Sequence, residues 1–266
     1  MRPLAVVGNL SRDLVDGRPA RVGGAPFHAA RALRVLGSPA LIAAKCADVD
    51  RRELLPPLVR LGVPVVWCGG TSTAGFSFRY EGDRRLMTVD SIGDPWTPEQ
   101  VRGLGRAEWV HVGALARSDF PVETLAELGR ERRVSLDGQG LVRPEVTGPL
   151  ELDADFDREV LSHVTLLKLA EEEARVLVGE PDEEALRSLG VPEVVVTLGP
   201  RGSLVFADGR LEHVPARPVD GEIDPTGAGD AYAAAYLVAR GGGHAPVAAA
   251  RRATALVAGL LGRRLR

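Results

Sequence analysis

Short runs of β-branched and aliphatic residues alternate along the chain with segments whose apolar positions recur every three or four residues. The first kind comprises LAVVG (4–8), PALIAA (39–44), VPVVWC (63–68), EWVHVG (108–113), RRVSLD (132–137), HVTLLKL (163–169) and PEVVVTLG (192–199). The second kind covers 25–36, 51–61, 121–132, 171–178 and 182–189, and two more helices at about 227–240 and 246–261 close the chain. The runs at 132–137, 163–169 and 192–199 are nearly continuous in apolar residues, as a parallel strand covered on both faces requires. This alternation predicts an α/β fold, a doubly wound and mostly parallel sheet with helices on both faces.

Two stretches depart from that rhythm. AGFSFRYEGDRRLMTVD (74–90) alternates apolar and polar positions with EGDR at its centre, and so predicts an antiparallel hairpin with one solvated face. Residues 9–22 are short, polar and turn-like. Together they read either as a small β lid assembled from about 9–22 and 70–92, or as a plain edge hairpin. Neither an internal repeat nor a low-complexity linker divides the chain, so residues 1–266 are expected to form a single domain.

Composition narrows the function classes. Apolar residues make up 45% of 266 residues, ample for a core of this size, and the formal net charge is -3. No block of like charge is long enough for a nucleic-acid tail or a membrane-surface helix. No apolar run reaches the ~18 residues of a membrane span. MRPLAVVGNL enters a strand pattern at once, without the apolar core of a signal peptide, so a cytoplasmic enzyme is the expected class. Cys46 and Cys68 lack the spacing of a zinc knuckle or a disulfide framework. Against 31 scattered arginines there are only two lysines, Lys45 and Lys168, which makes those two better candidates for a specific role.

The chemistry concentrates in glycine-rich turns. DPTGAGDAYAAAYL (224–237) sets Gly227 and Gly229 around Ala228, follows them with Asp230, and continues in strong helix formers. A helix N-terminus offers unpaired N–H donors and the positive end of a dipole, so this segment reads either as an oxyanion or phosphate cradle or as a tight turn with an acid in the first helical turn. RVGGAPFHAARALRVLG (21–37) places a second helix start after Gly23-Gly24, with Pro26 in its first turn and His28 close by. Asp13 follows the first strand and could meet that turn at the carboxyl edge of the sheet. VVVTLGPRGSLVF (194–206) is a strand, a turn and a strand. Neither GxxxxGK[ST] nor GxGxxG occurs, since Tyr232 stands at the third glycine position; HExxH and GxSxG are absent too.

In their order along nearly the whole chain these pieces resemble the ribokinase-like (PfkB-type) carbohydrate kinases. GGAPFHAARALRVLG is similar to that family's N-terminal signature, DPTGAGDAYAAAY to its C-terminal one, and TLGPRG lies between them. The resemblance implies an ATP- and Mg²⁺-dependent kinase acting on a sugar, a polyol or a sugar acid. It implies Asp230 as the base that takes the acceptor proton, and the amides of Gly227, Ala228 and Gly229 as an anion hole. Asp13, Gly23, Gly24 and His28 would line the sugar site, with Gln139 and Arg143 of SLDGQGLVRP as further substrate contacts. Thr197, Gly199 and Gly202 would contact ATP, Ala253 and Thr254 would lie near the adenine, and Glu173 would hold the water shell of Mg²⁺. Asp224 and Thr226 match a loop that holds a monovalent cation, usually K⁺, in many members. Lys168 reads either as an ATP contact or as a solvated strand-end residue. The hairpin would be a lid over the sugar, and its apolar face could clasp a second copy. No nucleic-acid or membrane partner is implied.

Two positions depart from the family pattern. His28 stands where an Asn usually contacts the substrate, and Ala170 replaces the Asn of the magnesium-associated Asn-x-x-Glu. The rival readings are a nucleoside kinase of the same fold and a non-catalytic sugar or nucleotide sensor.

Overall fold

A computed structural model describes residues 4–16, 20–81, 84–219 and 226–263. Strand β1 (Leu4–Asn9) runs almost directly into β2 (Ser11–Val15) and β3 (Arg21–Gly23). Helix α1 (Ala25–Leu36), β4 (Ala40–Ala47), α2 (Arg51–Val59) and β5 (Val65–Gly70) follow. Next come β6 (Ala74–Glu81), β7 (Arg84–Ser91), α3 (Pro98–Arg102), β8 (Trp109–Gly113), α4 (Val122–Gly129) and β9 (Arg133–Asp137). The middle of the chain adds α5 (Gln139–Val142), β10 (Gly148–Pro149), β11 (Leu166–Ala170), α6 (Glu171–Val178) and α7 (Glu183–Arg187). Strands β12 (Glu193–Thr197), β13 (Ser203–Ala207) and β14 (Arg210–Val214) lead to helices α8 (Ala228–Gly241) and α9 (Pro246–Arg263).

Nine strands form the main sheet, in the order β14-β13-β12-β11-β9-β8-β1-β4-β5. Every pair from β12 to β5 is parallel, and β13 and β14 add an antiparallel edge. All seven strands expected from the sequence lie in this sheet. Alternate residues of its strands feed two apolar clusters: Ala5 and Val7 enter one, Leu4 and Val6 the other. Both sets are buried, which is why the strand sequences lack polar alternation.

A second, five-stranded sheet has the order β10-β7-β6-β2-β3. Its β6–β7 pair is the expected hairpin, antiparallel with an irregularity at Gly75/Phe76. The stretch read as turn-like is more regular than expected, because β2 pairs with β6 in parallel and with β3 antiparallel. One face carries its own small core of Ala74, Phe76, Phe78 and Val89, closed by Leu115 from the main body. Among the described residues no helix is long and apolar enough to cross a membrane.

Beside this junction lies a buried polar network. Trp96 Nε1 donates to Asn9 Oδ1 at 3.0 Å, and Lys45 Nζ donates to the Pro95 carbonyl at 2.6 Å and to Gln100 Oε1 at 2.7 Å. Asp119 accepts the Leu115 N–H at 2.7 Å and so fixes the turn leaving β8. Burial pushes its carboxyl up to about 6, against the pull of those N–H groups and of Lys45. A carboxyl whose value rises on folding binds its proton more tightly in the native state, so its contribution to stability falls as the pH climbs from about 4 to about 6. Asp119→Asn keeps an acceptor and removes the charge. Its denaturant midpoint should gain on the wild type across that window; parallel curves from pH 4 to 8 would refute the assignment.

Candidate active site

Strand alternation builds the floor of the site. In β8, β9 and β11 the residues Val110, Val112, Val134, Leu136, Leu167 and Leu169 point into one apolar cluster. Their neighbours on the opposite face are His111, Ser135, Asp137 and Lys168, all buried. That polar row lies at the carboxyl end of the sheet, where α8 begins. Parallel register pairs His111 with Ser135 and Lys168 with Asp137.

Lys168 Nζ donates to Asp137 Oδ2 at 3.1 Å, and both side chains are buried. Burial opposes the ammonium charge, but Asp137, Glu173 and Asp230 outweigh it and raise the lysine above its ordinary value. The sequence left a solvated strand end open for Lys168; the structure replaces that reading with the resident cation of a carboxylate cluster. Asp137 also accepts the Gln139 N–H at 3.3 Å, which starts α5. Asp137, Ser135 and His111 were not singled out from the sequence. The legible signal was a carboxylate closing an otherwise apolar parallel strand just before a glycine.

Each glycine of the GAG turn has its own cause. Gly227 caps α8 with φ 74°, and a Cβ there would lie 2.3 Å from His28 Nδ1. Gly229 is helical, but a Cβ would lie 2.9 Å from Lys168 Nζ. The second glycine therefore lets the ammonium reach the helix start, where its repulsion from the positive dipole end is offset by the surrounding carboxylates.

Asp230, in the first turn of α8, keeps part of its surface open to a cavity of about 1100 Å³. Burial and then Asp137 push its carboxyl up to about 7, opposed by Lys168 and Arg143, with Asp13 adding to the rise. The cavity is also lined by Asp13, Gly24, His28, Gln139, Arg143, Lys168, Glu173, Thr226, Gly227 and Gly229. Gly23 sits against the Asp13 carboxylate, which accepts the Ser11 hydroxyl at 2.7 Å. Phe76, Phe78 and Met87 of the second sheet form the opposite wall, and the Arg143 guanidinium lies 5.8 Å from the Phe76 ring centre.

Glu173 Oε2 accepts the Ala170 N–H at 2.7 Å, capping α6. Burial raises its carboxyl, with Lys168 opposing. Glu172 joins it on the cavity wall. Carboxylate oxygens of this kind suit a hard divalent ion held through water.

Other expected positions are not brought to the cavity. Thr197 Oγ1 donates to the Leu169 carbonyl at 3.1 Å, and Gly199 and Gly202 lie in the turn between β12 and β13. Ala253 and Thr254 are buried in α9. Ala228 stands at the start of α8 without lining the cavity, and Asp224 lies outside the described residues.

The sequence model of the family described as pfkB family carbohydrate kinase matches residues 16–263. A cytidine kinase of Thermococcus kodakarensis is 28% identical over 89% of this chain and 88% of its own. A ribokinase of Bacillus subtilis is 28% identical over 90% of this chain and 86% of its own. Among solved structures, a pyrophosphate-dependent kinase in the ribokinase family, complexed with a pyrophosphate analog and myo-inositol, superposes with a TM-score of 0.85. It is 27% identical and covers 97% of this chain and 94% of its own.

Proposed function

The chain belongs to the pfkB family of carbohydrate kinases, and from that premise we propose that its cavity transfers a phosphoryl group from ATP to a hydroxyl of a sugar or polyol. The observation that carries this reading is Asp230, a cavity-facing carboxyl pushed up to about 7 at the N-terminus of α8. A base working near neutral pH needs a value of that order.

In this reading Asp230 takes the proton of the acceptor hydroxyl. Amide groups of Gly227, Ala228 and Gly229 and the Lys168 ammonium face the charge that develops on the transferring group, preorganised so that little reorientation is needed during transfer. Asp13, Gly23, Gly24 and His28 hold the acceptor's hydroxyls, with Gln139 and Arg143 on the adjoining wall. His28 can donate and accept as an Asn would, with a different reach. The second sheet excludes water as the lid over the acceptor. Mg²⁺, when bound, would supply charge neutralisation to the donor, and Glu173 with Glu172 would hold its water shell. Thr226, with Asp224, is the proposed monovalent-cation position. Thr197, Gly199, Gly202, Ala253 and Thr254 are proposed for the nucleotide side of the donor.

One comparison favours a second donor. Lys168 lines the cavity beside Gly227 and Gly229, and the neighbour with a TM-score of 0.85 is pyrophosphate-dependent. A compact donor would need the cradle and Lys168 and little else.

The test is a matrix of donors and acceptors. Sugars, polyols, sugar acids and nucleosides are each offered with ATP and with pyrophosphate, and phosphorylated product is measured. Turnover with a sugar or polyol and ATP is expected. Turnover only with nucleosides would move the acceptor class to nucleosides, and turnover only with pyrophosphate would move the donor. Ligand-induced thermal shifts without product in any cell would mark a binding protein instead.

A further inference from the structure

His111 takes no part in the chemistry assigned so far, yet it lies beneath the base. Its side chain is fully buried at 0% exposure on β8, one strand from Asp137. Nδ1 lies 3.1 Å from the Ser135 hydroxyl, and Nε2 has no hydrogen-bond partner. One ring nitrogen, one Asp137 carboxylate oxygen and one Asp230 carboxylate oxygen all lie within 4.8 Å of one another. A His and two carboxylates at such distances invite a metal ion. Here the Lys168 ammonium already pairs with Asp137 at 3.1 Å, so the cluster's cation is a side chain of the protein itself.

That leaves the imidazole a different use. Burial and the nearby ammonium push its value down to about 4, with Asp137 and the Ser135 backbone opposing, so the ring is neutral near pH 7 and carries one N–H. If the Ser135 hydroxyl donates to Nδ1, that N–H is on Nε2. Nε2 is the ring nitrogen left without a partner, and an Nε2–H turned towards the carboxylates would find acceptors there. Contacts of this kind are often loose without substrate and tighten in the reacting complex.

We propose that His111 is a positioning residue for Asp230: Ser135 fixes its tautomer, and its Nε2–H holds the Asp137–Asp230 carboxylate pair in register with Lys168. The inference rests on the reading of Asp230 as the base. Groups facing Asp230 are Asp137 from β9, Lys168 from β11, Arg143 after α5 and Asp13 from β2, with His111 from β8 as the neutral donor. Removing a neutral donor from a carboxylate pair favours the protonated acid, so the base should titrate higher.

His111→Leu should lower kcat roughly ten- to a hundredfold, the usual range for partners that orient a reacting group through another side chain. KM for both substrates should stay nearly constant, and the acid limb of kcat/KM should move to higher pH. His111→Gln, which keeps an N–H donor, should recover most of kcat and the original limb. A lower melting temperature for His111→Leu with unchanged kcat and pH profile would make His111 a packing residue and overturn the proposal. So would a Gln variant no better than Leu. Asp230→Asn run beside them separates the two readings: wild-type turnover there would sink the base and the histidine's role with it, whereas a dead Asp230→Asn beside an unaffected His111→Leu would sink the histidine alone. A third measurement needs no turnover: the ¹⁵N shifts of His111 in wild-type protein should report the Nε2–H tautomer, and an Nδ1–H tautomer would refute the assignment.

Discussion

Asp230→Asn should lower kcat about a thousandfold, within the range that a positioned general base supplies, while KM for donor and acceptor changes little. The substitution keeps the shape and removes only the ability to take a proton. In the wild type the acid limb of kcat/KM should fall near pH 7, because burial and Asp137 raise the carboxyl to about 7 and the base works only when ionised. Stability should move the other way. A carboxyl lifted from 3.8 binds its proton more tightly when folded, so its contribution declines as the pH rises from about 4 to about 7. Asp230→Asn should therefore melt above the wild type at pH 8, and the gap should close towards pH 5. A variant that is slower and also less stable at pH 8 would mean that the carboxylate is a structural group. Unchanged kcat with a raised KM would make it a binding group.

The same carboxylate shows where the sequence stopped being readable. Periodicity is local, and the strands at 4–8, 108–113 and 132–137 announced themselves because each is buried on both faces by its own residues. The GAG turn was legible as a helix start for the same reason. The second sheet was legible in part: alternation gave the hairpin, whereas the short β2 gains its regularity from pairing with β6, some sixty residues on, and β3 from pairing with β2. What sets Asp230 apart was hidden, because its environment comes from strand ends far away in sequence. Lys168 and Asp137 are 31 residues apart and meet only through the β9–β11 register. The cause of Gly229 was hidden in the same way: its lack of a side chain makes room for the lysine.

Lys168→Met should be the most damaging single change to the fold at this site, and it should abolish most turnover as well. Breaking a buried ion pair by deleting one partner typically costs about 3–5 kcal/mol, because the other charge stays buried without compensation. Here the stranded charge is Asp137, with Glu173 and Asp230 close enough to have raised the lysine's value. The contribution is fully present below the ordinary lysine value of 10.5 and is lost only as the pH rises through the higher folded value, so at pH 7 the whole loss should be visible. Without the ammonium, Asp230 loses the group that holds its proton affinity down, and the acid limb of any residual activity should shift upward. The double variant Lys168→Met/Asp137→Asn separates fold from function. Removing both charges of a buried pair is often nearly neutral, so the double variant should regain much of the lost stability. Activity should not return with it, because the cradle would still lack the cation that faces the transferring group. Recovery of both together would mean that Lys168 serves only to neutralise Asp137. A single variant as stable as the wild type would mean that the pair is solvated in solution, and the electrostatic account of Asp230 would fall with it.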